Sequence, residues 1–285
     1  MLRGTFQAKL DEGGSKLQQV FDLARPALQL GGVSATDPRF AEVAVNAGVR
    51  VLEPNHTAVS CARARKGLVS MREAYAYKHE LEFEVVLEVV RALRRVVPQS
   101  VFILCAAPGT FDEVEPSFTE RHGHMLSEAG ADGLFVEKDS YAEIERLVGI
   151  GHRAGLLAQA AFQLGHPGMK TAVVPIHSPT EASGASRRLA DMGVDIVGMR
   201  LSGIFQSLSA GEVAREEVDC IRGLVDEVKG ATVVYAGVNA ANWSAIAKTG
   251  VKMVGLASGV DDVVYHALSD AIAEYQGSRE TRHAG

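Results

Sequence analysis

Five times in this chain a glycine closes a helical stretch and a short apolar run follows. Gly48 precedes Val49-Arg50-Val51-Leu52, and Gly130 precedes Ala131-Asp132-Gly133-Leu134-Phe135-Val136. Gly155 precedes Leu156-Leu157-Ala158, Gly193 precedes Val194-Asp195-Ile196-Val197, and Gly250 precedes Val251-Lys252-Met253-Val254. A glycine just past a helix accepts the left-handed backbone that ends it. A run that is brief, β-branched and apolar on both faces reads as a strand buried in a parallel sheet. Repeated helix-to-strand junctions mean repeated βα units, so the number of units decides the architecture.

Eight candidate strands emerge: Ala27–Val33, Arg50–Glu53, Val101–Cys105, Gly133–Glu137, Leu156–Phe162, Ile196–Arg200, Thr232–Ala236 and Met253–Leu256. Helical patterns lie between them, at Pro38–Ala47, Leu81–Val97, Glu120–Ala129, Tyr141–Ala154, Pro179–Met192, Glu212–Val228 and Ala241–Lys248. Asp37-Pro38 and Ser178-Pro179-Thr180-Glu181 carry the N-cap, first-turn proline and capping-box glutamate that start helices. Eight units in 285 residues predict a (β/α)8 TIM barrel, which needs roughly 250 residues. A doubly wound open sheet would want a Gly-rich nucleotide loop after the first strand, and Gly31-Gly32-Val33-Ser34 is not one. The expected organisation is an N-terminal covering helix within residues 1–25 (around Ser15–Leu23), a barrel over 26–276 and a frayed tail at 277–285.

With 47% hydrophobic and 22% charged residues, the chain has the composition of an ordinary globular domain with a large core. A net charge of −6 without a basic stripe argues against nucleic acid as a partner. No apolar stretch approaches the roughly 20 residues that span a bilayer, and the N-terminus lacks a signal-peptide core, so no membrane contact is expected. Cys61, Cys105 and Cys220 lack CxxC spacing, which fits a reducing, cytoplasmic setting and speaks against structural zinc. A homo-oligomer is expected.

Barrel enzymes carry their chemistry at the C-terminal ends of the strands. Polar residues there include Glu53 and His56 after strand two, Asp112, Glu113 and Glu115 after strand three, and Glu137 and Lys138 after strand four. Gln163 follows strand five, Arg200 ends strand six, Gly237 and Asn239 follow strand seven, and Ser258 and Gly259 follow strand eight. A carboxylate in an otherwise apolar strand, such as Glu53, is costly to bury without a role. Arg200 closes the apolar run Ile196–Met199, and its planar fork suits a carboxylate or phosphate. The expected roles are catalysis by Glu53, His56 and Arg200, with His56 moving the proton. Mg2+ or Mn2+, both hard cations, would be held by Glu53, Asp112 and Glu137. A small anionic substrate would sit on Gly237, Asn239, Ser258, Gly259 and Gln163, where small-residue turns offer backbone donors.

Other readings of individual residues stay open. Lys138 is a Schiff-base candidate or a salt-bridged loop residue; Cys105 reads as a small core residue. His122 and His124 read as surface residues of a helix, and Trp243 as packing. The long segment Gly165–His177 is expected to be a lid over the barrel mouth, or else an arm on a neighbouring subunit carried by Ala172-Val173-Val174-Pro175-Ile176.

The order of these features resembles the phosphoenolpyruvate hydrolase-like TIM-barrel family, within the phosphoenolpyruvate/pyruvate barrel superfamily. The parallels are Leu30-Gly31-Gly32-Val33-Ser34, the excursion after strand two that returns through Ala74-Tyr75-Ala76-Tyr77-Lys78-His79-Glu80-Leu81-Glu82, Ala190–Ile196 into strand six, and Leu256-Ala257-Ser258-Gly259. Arg200 stands where that family has a histidine, and Ala236-Gly237-Val238 where it has His-Gly-Gly. The resemblance implies a metal-assisted lyase or hydrolase that cleaves a C–C or P–C bond in a small 2-oxo acid or phosphorylated acid through an enolate. The alternatives are a sugar-phosphate isomerase, epimerase or aldolase, and a non-catalytic barrel that binds a ligand or partner.

Overall fold

The computed structural model describes residues 2–55, 58–59, 77, 81–106, 118–165, 173–201, 213–228, 232–238 and 242–282. In chain order the elements are α1 (Leu2–Phe21), β1 (Ala27–Leu30), a 3-10 turn (Val33–Ala35), α2 (Pro38–Asn46), β2 (Val51–Leu52), α3 (Phe83–Val96), β3 (Phe102–Ala106) and α4 (Glu120–Ala129). There follow β4 (Gly133–Val136), α5 (Tyr141–Arg153), β5 (Leu157–Leu164), β6 (Val174–Ile176), α6 (Pro179–Asp191), β7 (Ile196–Arg200) and α7 (Arg215–Glu227). The chain closes with β8 (Thr232–Tyr235), α8 (Trp243–Ala247), β9 (Met253–Leu256) and α9 (Ser258–Arg282).

All strand pairs are parallel. The ring runs β1, β2, β3, β4, β5, β7, β8, β9 and back to β1, a closed (β/α)8 barrel. Each of the five junction glycines has a positive φ: Gly48 +109°, Gly130 +107°, Gly155 +77°, Gly193 +83° and Gly250 +88°. At Gly155 space is limiting as well, because a Cβ would lie 2.7 Å from the carbonyl oxygen of Phe6.

Two apolar layers follow from strand alternation. Outward-facing residues such as Leu30, Leu52, Ile103, Cys105, Leu134 and Val197 pack under the helices. Inward-facing Val51, Phe102, Leu104, Phe135, Ile196 and Met253 fill the barrel. Helix α1 closes the N-terminal end, as the sequence predicts but over a longer span. Its Leu17 and Val20 pack with Ala27, Val51 and Phe102, and the Lys16 ammonium reaches Asp132 at 2.7 Å.

The segment Gly165–His177 departs from the expectation. Residues 166–172 lie outside the described ones, but Val174–Ile176 forms β6, a parallel strand paired with the end of β5 through Phe162↔Val174 and Leu164↔Ile176. Ring strand β4 uses the lower half of that same edge, up to Val136↔Ala160. Of the apolar residues expected in an arm, Val173, Val174 and Ile176 are core, Pro175 is exposed, and Ala172 lies outside the described residues. At the other end α9 continues to Arg282, well past Tyr275.

Candidate active site

A circuit of the paired residues that starts at Gln29 returns eight residues lower, so inward side chains of alternate strands share a height. At mid-height stand Gln29, Leu104, Gln159 and Val233. Above them come Glu53, Phe135, Gly198 and Gly255, then Gly31, Ala106, Ala161 and Tyr235, then Glu137 and Arg200. Barrel interiors are usually filled by branched apolar residues. This one holds Gln29, Glu53, Glu137, Gln159, Gln163, Arg200 and Tyr235, every one of them buried.

Glu53 follows β2 and is held on both oxygens. Gln29 Nε2 donates to Oε2 at 2.5 Å, and Asn55 Nδ2 donates to Oε1 at 3.1 Å. Asn55 is itself anchored, accepting from the Ala58 amide on Oδ1 at 2.7 Å. Burial pushes the Glu53 carboxyl above the usual carboxylate range; the bonds from Gln29 and Asn55 and the Arg200 charge pull the other way without cancelling it. A carboxyl so placed holds a proton at higher pH than a free one, which suits proton transfer near neutrality.

Opposite it, the Tyr235 hydroxyl crosses from β8 to β4 and donates to Glu137 Oε1 at 3.2 Å. Room for the ring comes from glycine: a Cβ on Gly255 would lie 2.6 Å from Tyr235 Cβ, and one on Gly198 would lie 3.3 Å from the ring. Burial and the negative charges of Glu137 and Glu53 hold the Tyr235 hydroxyl well above its ordinary pKa, against the opposing charge of Arg200. Tyr235 therefore keeps its proton and acts as a donor. Arg200, in register with Tyr235 and Gln163, shares the interior with two carboxylates, and its charge favours the ionised form of Glu53.

Register settles several expectations. Glu137 and Arg200 face inward, on the side of Phe135 and of Ile196 respectively. Lys138 is half-buried on the outer side; there the Arg146 hydrogen bond holds the Glu143 carboxyl of α5 below the usual range, and the Lys138 charge adds to it, a position that does not suit a Schiff base. Cys105 packs beneath the helices, and burial raises its thiol to about 12, in keeping with a core residue. His122 and His124 are more than surface residues. His122 Nδ1 accepts from the Thr119 amide at 3.1 Å as a helix cap, and the His124 ring stacks on Phe6 at 4.3 Å. Trp243 packs against the core as expected.

His56, Asp112 and Asn239 lie outside the described residues, as does the side chain of Ser258. Gly237 has φ +68° and follows Ala236 at +66°, and its carbonyl accepts from Asn242 Nδ2 at 2.8 Å. Gly259 is half-buried in the first turn of α9. Near it Asp261 accepts from the amides of Val33 (2.9 Å) and Ser34 (2.8 Å) and from Ser34 Oγ (2.7 Å), so a carboxylate of the chain itself takes those donors. Among the described residues no group of three or more His, Cys, Asp or Glu side chains could hold a metal ion, and no helix is long and apolar enough to cross a membrane.

Sequence reasoning passed over Gln29 and Gln159 and gave Tyr235, at the end of strand seven, no role. The first two carry the same signal that singled out Glu53: a polar residue inside an apolar strand, at the inward parity. Tyr235 carries only its place at the strand end, since tyrosine is an ordinary strand residue.

No family model matches the chain, and the comparison with curated proteins finds no relative. Solved structures similar to it are tryptophan synthase α-subunits. The chain from Legionella pneumophila has a TM-score of 0.62 at 15% identity, covering 91% of this chain and 90% of that one. A mutant α-subunit from the hyperthermophile Pyrococcus furiosus has 0.60 at 12% identity, covering 85% and 90%. The α-subunit studied for mutual activation of the tryptophan synthase α2β2 complex of the same organism has 0.59 at 12% identity, again covering 85% and 90%. At such identities the likeness shows the fold alone, and it corrects the sequence reading. The neighbours are not phosphoenolpyruvate hydrolase-like barrels, so that family assignment is withdrawn, and with it the metal-assisted cleavage through an enolate that it implied. What the chain shares with its solved neighbours is the closed (β/α)8 barrel.

Proposed function

We propose that the chain is a lyase-type enzyme that moves protons with side chains of the barrel interior, on a small polar substrate. The observation that carries this reading is Glu53: a buried carboxyl raised above its usual range, fixed by Gln29 and Asn55, at the end of a barrel strand where such enzymes work. Glu53 acts as the general acid–base. Tyr235, which stays protonated, donates a hydrogen bond to an oxygen that gains charge, and Glu137 orients it. Arg200 offsets the two carboxylates. The likeness to tryptophan synthase α-subunits supports an enzyme of this general kind.

Mg2+ or Mn2+ does not fit the described residues. Glu53 is already engaged by two amides and Glu137 by Tyr235, and a guanidinium supplies the positive charge that a cation would bring. No step here runs through a metal.

The test is deuterium incorporation from D2O into a panel of small aldehydes, ketones and nitrogen heteroaromatics, followed by NMR. Wild-type protein is expected to exchange one class of them, unaffected by a chelator. Glu53→Gln is expected to lose about 10²–10⁴-fold, the usual worth of a general acid–base group. Full exchange in that variant would sink the assignment.

A further inference from the structure

Gln29 on β1 and Gln159 on β5 stand at one height on opposite sides of the eight-strand ring, each 0% exposed. Gln29 spends its Nε2 on Glu53, which leaves Oε1 as an acceptor with no partner. On Gln159 neither Oε1 nor Nε2 has a partner. The layer beneath, with Val51, Ile196 and Met253, is apolar and closed by α1. An amide buried without hydrogen bonds is destabilising, and folds that keep such groups use them. Glu53 stands one layer above both, on the side from which an occupant would enter through the mouth.

We propose that Gln159 and Gln29 form the floor of the substrate site and recognise its uncharged, hydrogen-bonding end. This rests on the reading of the barrel interior as that site. The chemistry of the end follows from the donors and acceptors present. Gln29 Oε1 requires an N–H or O–H from the ligand, while Gln159 supplies the two N–H donors of Nε2 and the acceptor Oε1. A carboxylate or phosphate is disfavoured, because the floor has no cation and Glu53 lies in the layer above. A carboxamide, a hydroxyl, or a ring N–H beside a carbonyl fits. Gln159 is thus a specificity-determining residue at the end of the site away from the mouth.

The experiment uses the full chain and two readouts. Gln159→Met keeps volume and removes the amide, so its Tm is expected to rise by about 2–4 °C or more, since an uncompensated polar group is lost from the interior. A fall, or no change, would mean that the amide is bonded within the fold through ordered water only, and overturns the proposal. In wild-type protein, acetamide is the probe: the Gln159 side-chain amide cross peak, assigned by its loss in the variant, should shift with acetamide and stay put with acetate or acetone. Peaks that acetamide leaves unmoved at high concentration, or that acetate moves equally, overturn it too. Neither readout depends on turnover, so this test can fail while Glu53→Gln still abolishes exchange, and the reverse.

Discussion

Glu53 is worse off charged in the folded barrel than in an unfolded chain, because burial outweighs the help from Gln29, Asn55 and Arg200. Its folded carboxyl titrates above its unfolded one, so its contribution to stability is fully present below the unfolded value and is lost as pH rises through the folded value. Glu53→Gln never ionises and escapes that loss. The stability of the variant minus that of wild type should therefore grow as pH is raised from about 4.5 toward neutrality. Urea unfolding of both proteins across that range measures it, and a gap that stays flat or shrinks contradicts the burial argument. Glu53 was legible in the sequence because a charged residue interrupts an apolar strand. Whether Glu137 faces in or out was not, since a one-residue slip reverses a strand's two faces. Only the pairing Phe135↔Gln159 fixes it.

At the scale of elements, the glycine junctions and the cap motifs predicted nearly every helix and ring strand, because each signal is local and chemical. Asp37 caps α2 as expected, accepting from the Arg39 amide at 2.9 Å. The strand that escaped was β6, three residues long and split by Pro175. Proline has no amide to give to a ladder and suits an edge strand, and among the described residues β6 pairs only with β5. Its two flanking side chains, Val174 and Ile176, are buried and anchor the strand against β5. Ile176→Ala should cost about 2–4 kcal/mol of stability through the cavity left behind. Denaturant unfolding would show it as a lowered midpoint; a midpoint within experimental scatter of wild type would mean that β6 is dispensable.

For the whole molecule, the closed barrel was legible from spacing alone, whereas the family was not. Gly-rich turns and helix-to-strand junctions belong to barrels in general, so matching their order could not separate one barrel family from another. The carboxylates, the arginine and the tyrosine come from β2, β4, β7 and β8, and only ring closure brings them together. Asp261 secures that closure from outside, tying the first turn of α9 to the turn after β1. In Asp261→Asn an amide NH2 would face either the Val33 amide or the Ser34 donors. One donor is then left unpaired, at a cost of about 1–3 kcal/mol. Hydrogen exchange at the Val33 and Ser34 amides should speed up in that variant, and unchanged protection there would show the tie to be idle.

The tie between Val33 and Asp261 spans 228 positions of sequence, and β1 waits for β9 to cover its second edge. During synthesis, a nascent chain that has not yet released Met253 from the ribosome is an open sheet with bare edges on β1 and β8. Such edges invite pairing with other chains, and contacts so distant in sequence form late and slowly. Premature termination anywhere before β9 thus yields a sticky sheet for the quality-control machinery, whereas a stop within the exposed outer turns of α9 leaves the ring able to shut.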